Sequence, residues 1–350
     1  MKKRFMLFVV CLLLLTGCGK LQETEQEEEK QDDTPVQIGL VFDSFVIERW
    51  QKDRDVFVST AKEYGVEVNV QNANGDIDTQ ISQIRYLIKK KVDVLVVVCI
   101  DSDGLADVIA EAEDAGIRVI AYDRMIKNAN VDLYISFDNE KVGTLMGQAL
   151  VQAGLPNKKV LMLSGPTADN NVSQVEKGFQ AVMDENDIEI VGSMHADGWK
   201  AELAYDYINE HPELLDGLDA IMCGNDGIAT STVRALAEKR LASKIRIVGQ
   251  DAELEACQRI VEGTQVMTVY KPVEKQAQAA AVYACQLARG EDIQTDRKAY
   301  DGTYDVPAVV LEPIAVNADN MQEVIINSGF HLKEEVYLNA VSYTHLTLPT

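Results

Sequence analysis

Just past a series of short apolar runs stand Asp43, Asp101, Asp123-Arg124, Asp138-Asn139, Asp169-Asn170-Asn171, Asn225-Asp226 and Asp251. Carboxylates accept hydrogen bonds, guanidinium groups donate them and amides do both, so these residue types suit the grip of a polar ligand. Asp and Asn are also the preferred caps where a strand turns into a helix, and capping alone accounts for many such positions. A cap does not call for a neighbouring Arg, which sets Asp123-Arg124 apart. Other chemistries find little support. There is no GxGxxG after the first apolar run, no GxxxxGKS or GxxxxGKT, no GxSxG and no HExxH. His195, His211, His331 and His345 show no ligand spacing, and Cys99, Cys223, Cys257 and Cys285 are isolated, so no metal site is expected. Asp101-Ser102-Asp103-Gly104 begins like a calcium loop, but Ala112 stands where the final carboxylate belongs, and a capped turn is expected instead.

The elements that must position these residues can be read from patterning. Strand-like runs are Val36–Phe42, Val66–Gln71, Val92–Ile100, Ile117–Tyr122, Asp132–Phe137, Lys159–Ser164, Ile188–Met194, Ala220–Cys223, Ile245–Gly249 and Val266–Tyr270. Between them lie helical patterns such as Glu48–Tyr64, Ile77–Lys90, Leu105–Ala115, Glu140–Ala153, Val172–Glu185, Lys200–His211 and Ile228–Lys239. Val94 to Val98 has no polar alternation, the mark of a parallel strand covered on both faces. Alternation of this kind predicts an α/β fold of doubly wound parallel sheets, and the number of units predicts two lobes. Such sheets bind ligands beyond the carboxyl ends of their strands, where the polar residues above fall.

Composition narrows the partners. The 350 residues hold 33 Lys+Arg against 56 Asp+Glu, a net charge of −23. That field repels a phosphate backbone, so nucleic acid is not expected, and a neutral or weakly charged ligand fits better. Residues 1–17 carry +3 and residues 18–35 carry −5, so the remaining −21 is spread over the folded part. Cys99 and Cys223 end apolar runs and read as buried thiols, while a disulfide stays open in an exported chain.

The first residues read as an export signal. Lys2, Lys3 and Arg4 precede an apolar run from Phe5 to Leu15, too short for a spanning helix. The run ends in Leu15-Thr16-Gly17-Cys18, which resembles the lipobox of bacterial lipoproteins. That resemblance implies a signal peptide over 1–17, lipidation of Cys18, and an extracytoplasmic protein anchored to the cell membrane. Residues 18–35 are polar and acidic and are expected to be a disordered tether.

Several longer strings fall in order along the chain: ERWQKDRD (Glu48–Asp55), QNANGD (Gln71–Asp76), AYDRMI (Ala121–Ile126), YISFDNEKVG (Tyr134–Gly143), ADNN (Ala168–Asn171), DGW (Asp197–Trp199), GND (Gly224–Asp226), GQDAEL (Gly249–Leu254) and MTVYKPV (Met267–Val273). With the export signal and two lobes, they make the chain resemble the type I periplasmic sugar-binding proteins, and within them the D-xylose-binding proteins of bacterial ABC transporters. The likeness covers about residues 36–333. It implies lobes joined by three crossings, an amino-terminal lobe of 36–137 plus 271–302 and a carboxy-terminal lobe of 138–270 plus 303–338. Residues 341–350 match nothing in it and are expected to be a non-native tail.

The resemblance also implies sugar contacts at Arg49, Trp50, Asp123, Arg124, Asp138, Asn139, Asn170, Asn171, Trp199, Asn225, Asp251 and Lys271. The chemistry agrees. Sugar hydroxyls both donate and accept, and charge-assisted bonds to them are worth about 1.5–3 kcal/mol each. Trp50 and Trp199, the only Trp residues, offer flat faces for the C–H faces of a pyranose, although core packing explains a Trp equally well.

The expected function is a monomeric, lipid-anchored solute receptor. It delivers D-xylose or a related aldose to an ABC permease with its ATPase and needs no cofactor. A sugar sensor presenting its closed form to a sensor kinase or chemoreceptor is the alternative, and the same pocket serves both. An enzyme would need more than Asp123 and Asp251 as an acid/base pair, and no nucleophile, metal cluster or phosphate loop accompanies them. A repressor with the same lobes would begin with a helix-turn-helix rather than an export signal.

Overall fold

A computed structural model describes residues 36–295 and 297–339. The signal peptide, Cys18, the tether and the tail at 341–350 lie outside the described residues. The chain runs through β1 (Gln37–Phe42), α1 (Arg49–Glu63), β2 (Glu67–Asn72), α2 (Ile77–Lys90), β3 (Val94–Val97), α3 (Ala106–Asp114), β4 (Arg118–Tyr122) and β5 (Leu133–Phe137). It continues through α4 (Asn139–Ala153), β6 (Lys159–Ser164), α5 (Asn170–Glu185), β7 (Glu189–His195), α6 (Glu202–Glu210), β8 (Ala220–Cys223), α7 (Asp226–Glu238), β9 (Arg246–Gln250), α8 (Leu254–Glu262) and β10 (Met267–Tyr270). Last come α9 (Val273–Ala288), β11 (Arg297–Tyr300), β12 (Asp305–Leu311), β13 (Ile314–Val316) and α10 (Lys333–Val336).

These strands form two sheets, ordered β11-β12-β5-β4-β3-β1-β2 and β13-β10-β9-β8-β6-β7. Within each, the parallel strands follow the same rule, second-first-third-fourth-fifth, so each lobe has its switch point beside its first strand. Among the described residues, only β11 and β13 pair antiparallel to their neighbours. The β3 residues Val94 to Val97 are fully buried, because helices cover both faces of the sheet. The two expected doubly wound lobes are present.

One boundary differs from expectation. The crossings from β5 to α4 and from β10 to α9 fall near Asp138 and after Tyr270, but the third does not follow Gly302. β12 pairs in parallel with β5 and so belongs to the amino-terminal sheet, while β13 pairs with β10. The chain therefore crosses between Leu311 and Ile314. Pro307 sits inside the short apolar run from Val306 to Leu311 and speaks against a central strand there, so the run gives no clear strand signal; β11 pairs along its outer edge.

Close packing sets the helices that carry the site. A Cβ on Gly143 would lie 1.8 Å from the Val175 carbonyl oxygen, and one on Gly178 would lie 1.9 Å from that of Glu140. Only glycine lets α4 and α5 meet backbone to backbone, which brings Asn139 and Asn171, near their amino-terminal ends, to the same cavity. Cys99, Cys223, Cys257 and Cys285 are all buried free thiols.

Candidate functional site

Between the lobes lies a small cavity lined by buried polar and aromatic side chains. Arg49, Trp50, Asp123, Arg124, Asn139, Asn171, Trp199, Asp251 and Lys271 line it, as do Asp169, a strand-end candidate not among the expected sugar contacts, and Ser164 and Gln250, for which the sequence raised no expectation. Ile47, Val172, Val175 and Met222 supply apolar wall.

The strand ends do the positioning. No helix follows β4, so Asp123 caps nothing; its backbone takes the left-handed conformation (φ 63°) and turns its side chain inward. Its Oδ2 lies 3.0 Å from Arg49 Nη1, and its Oδ1 accepts from Asn171 Nδ2 at 3.1 Å. Asp251, beyond β9, is also left-handed (φ 94°) and lies 2.7 Å from Lys271 Nζ. Arg124 Nη1 reaches Asp43 Oδ2 at 2.8 Å and donates to the Cys99 carbonyl at 3.0 Å. Its Nε lies 2.7 Å from Asp169 Oδ2, which also accepts from Trp199 Nε1 at 3.3 Å. The Trp199 ring lies where a Cβ on Gly165 would stand, 2.4 Å from it, so this glycine makes room for the indole. The two Trp residues thus reach the cavity from opposite lobes.

Three of the expected residues sit elsewhere. Asp138 caps α4, its side chain accepting from Lys141 N at 2.9 Å, and Asn225 caps α7 by accepting from Ile228 N at 2.8 Å. Asn170 gives its backbone N–H to Ser102 Oγ at 3.0 Å. None of the three lines the cavity. Asp101 accepts from Asp103 N at 2.9 Å, the capped turn that was expected there. Asp169 both caps α5, accepting from Asn171 N at 3.0 Å, and faces the cavity, a double use that spacing alone does not reveal.

Buried charges dominate the electrostatics. Burial pulls the Asp123 carboxyl up, but Arg49, Lys271 and Arg124 outweigh it and hold the group below the usual carboxylate range. Burial lowers Arg124, yet Asp169 and Asp43 more than compensate and raise it. For Asp169 and Asp53 burial wins over the neighbouring guanidinium groups, and both carboxyls are pushed up. Paired ions taken out of water in this way add little stability, because desolvation cancels most of their attraction. The arrangement does fix the direction of each donor and acceptor. Seven buried polar atoms of the lining residues have no hydrogen-bond partner in the protein. Arg49 Nη1 and Asp251 Oδ1 are held in ion pairs, which leaves five with neither: Trp50 Nε1, Arg124 Nη2, Ser164 Oγ, Asn171 Oδ1 and Gln250 Oε1.

Two parallel-sheet lobes around a buried polar cavity define a type I periplasmic binding protein, and residues 38–292 match the periplasmic binding protein domain family. The chain belongs to that family; it is a binding protein and not an enzyme. It is 42% identical over 329 residues to the D-xylose-binding periplasmic protein of Haemophilus influenzae, a match covering 93% of this chain and 98% of that one. It is 40% identical, over the same shares, to the D-xylose-binding periplasmic protein of Escherichia coli. The crystal structure of an ABC transporter solute binding protein from Clostridium phytofermentans with bound β-D-glucose superposes with a TM-score of 0.78 at 28% identity, covering 86% of this chain and 99% of that one. No helix among the described residues is long and apolar enough to cross a membrane.

Proposed function

We propose that this chain is the solute-binding component of an ABC importer and that it holds D-xylose between its closed lobes. The carrying observation is the set of five unpartnered buried polar atoms on one cavity. Each costs about 1–3 kcal/mol if left unsatisfied, so the site favours a ligand that supplies the missing partners. Trp50 and Arg124 offer donors, Asn171 and Gln250 offer acceptors, and the Ser164 hydroxyl does either. A sugar, whose hydroxyls do both, matches that mixture, and the indoles of Trp50 and Trp199 suit its C–H faces. The ligand contacts are then Arg49, Trp50, Asp123, Arg124, Asn139, Asn171, Trp199, Asp251 and Lys271, joined by Asp169, Ser164 and Gln250. D-xylose as the ligand is supported by the relatives of that name, and delivery to a permease by the transporter protein that shares the fold.

The sequence Leu15-Thr16-Gly17-Cys18 supports an anchor: Cys18 carries the lipid, and the mature protein works as a monomer on the outer side of the membrane. Mass spectrometry of the mature amino terminus tests the anchor, with an acylated Cys18 expected and an unmodified terminus elsewhere contradicting it. Calorimetric titration with sugars tests the ligand.

A further inference from the structure

Gln276 lies four residues into the helix that follows the second crossing, is fully buried, and is absent from the cavity wall. Its Oε1 accepts from Arg49 Nη2 at 2.7 Å. Its Nε2 approaches Asp123 Oδ2 at 3.4 Å and donates to the Ile135 carbonyl at 3.2 Å. One amide therefore holds the cation and the carboxylate of the same pair, from behind. Asp53 does the rest of the work on Arg49: it takes Nε at 3.3 Å and Nη2 at 2.9 Å, and is itself held by the Tyr122 hydroxyl. The Nε and Nη2 donors are thereby occupied by the scaffold, and Nη1, 3.0 Å from Asp123 Oδ2, is left toward the cavity.

We infer that Gln276 is the positioning residue for ligand binding: it locks Arg49 and Asp123 into the single orientation that a sugar hydroxyl meets. This rests on the sugar-binding reading above and adds a residue that touches no ligand. Only an amide fits this place. Its oxygen must face a guanidinium and its nitrogen a carboxylate and a carbonyl, so neither a carboxylate nor an apolar side chain satisfies all three partners. The charged and titratable groups around it are Arg49 and Asp53 on α1 and Tyr122 and Asp123 at the end of β4, with Lys271 acting on Asp123 from the crossing.

Calorimetric titration of the full chain with D-xylose at pH 5 and pH 7.5, for wild type, Gln276→Glu and Gln276→Met, tests the inference. Gln276→Glu places a second carboxylate against Asp123 and removes the donor; D-xylose affinity should fall more than about tenfold at pH 7.5 and recover most of that loss at pH 5, where the protonated carboxyl donates again. Gln276→Met has no such group and should lose a comparable factor at both pH values. A residue needed only for packing would instead lower the melting temperature and leave affinity and its pH profile as in wild type. Binding within about twofold of wild type at pH 7.5 in either variant, or identical pH profiles for the two, overturns the assignment. If Gln276→Glu does not fold, Gln276→Met decides alone on the same twofold criterion. Wild-type protein that gives no heat with D-xylose overturns the sugar reading and this inference with it, whereas wild-type binding with unaffected variants overturns the inference alone.

Discussion

The Nε of Arg124 and the Oδ2 of Asp169 stand 2.7 Å apart, and the two residues belong to opposite lobes. The pair spans the two lobes, so it ties the cavity wall to their closed arrangement. A ligand that contacts both sides favours that state by its differential affinity. Asp169→Ala should weaken sugar binding at least about tenfold, since a charged hydrogen-bond partner is worth about 1.5–3 kcal/mol. It should also leave a larger radius of gyration at equal sugar concentration, which small-angle scattering measures.

A second link lies at the cavity rim. Ser102, in the amino-terminal lobe, donates its backbone N–H to the Ala168 carbonyl and accepts from Asn170 N through its hydroxyl, both at 3.0 Å. The first free N–H of α5 is thus capped from across the cleft. Ser102→Ala should weaken every sugar by the same few-fold factor, about 1 kcal/mol, mainly through faster dissociation. Stopped-flow Trp fluorescence with two sugars checks this; a changed ratio between them would argue for direct contact instead.

Asp251 and Asp138 form a matched contrast at strand ends. Asp251 faces the cavity beside Lys271, and Asp138 caps α4. Asp251→Ala should nearly abolish binding with little change in melting temperature. Asp138→Ala should lower stability by about 1 kcal/mol and keep affinity. Both quantities measured on both variants separate the roles.

The Asp123 carboxyl has a direction of its own. Its value is lowered from the ordinary 3.8 by the three cations around it, against the pull of burial. A depressed carboxylate stabilises the fold above its unfolded value, and that contribution disappears as the pH falls through the folded value. Melting temperature should therefore drop more steeply below about pH 4 in wild type than in Asp123→Asn, with parallel curves above it.

Much of this architecture was legible because parallel strands buried on both faces leave unbroken apolar runs, as in Val94 to Val97. β12 escaped because it carries Pro307, and β11 because Arg297 and Lys298 give it no buried pattern. The strand-end rule found Asp123 and Asp251 but could not rank Asp169, Asn170 and Asn171. Their roles follow from the first turn of α5, which presents Asp169 and Asn171 to the cavity and the backbone of Asn170 to Ser102. Gln250, the last residue of β9, had its signal in the string GQDAEL beside Asp251. Gln276 had none, since it reaches the site from behind through a helix that begins at a crossing.

Titration calorimetry of the purified chain with D-xylose, D-ribose, L-arabinose and D-glucose decides whether the cavity is a xylose site. D-xylose should occupy one site per chain with a dissociation constant in the micromolar range or tighter, about −8 kcal/mol or more, and the other three sugars should bind at least about tenfold more weakly. No heat with D-xylose at millimolar concentration, or tighter binding of any of the other sugars, would contradict a xylose site.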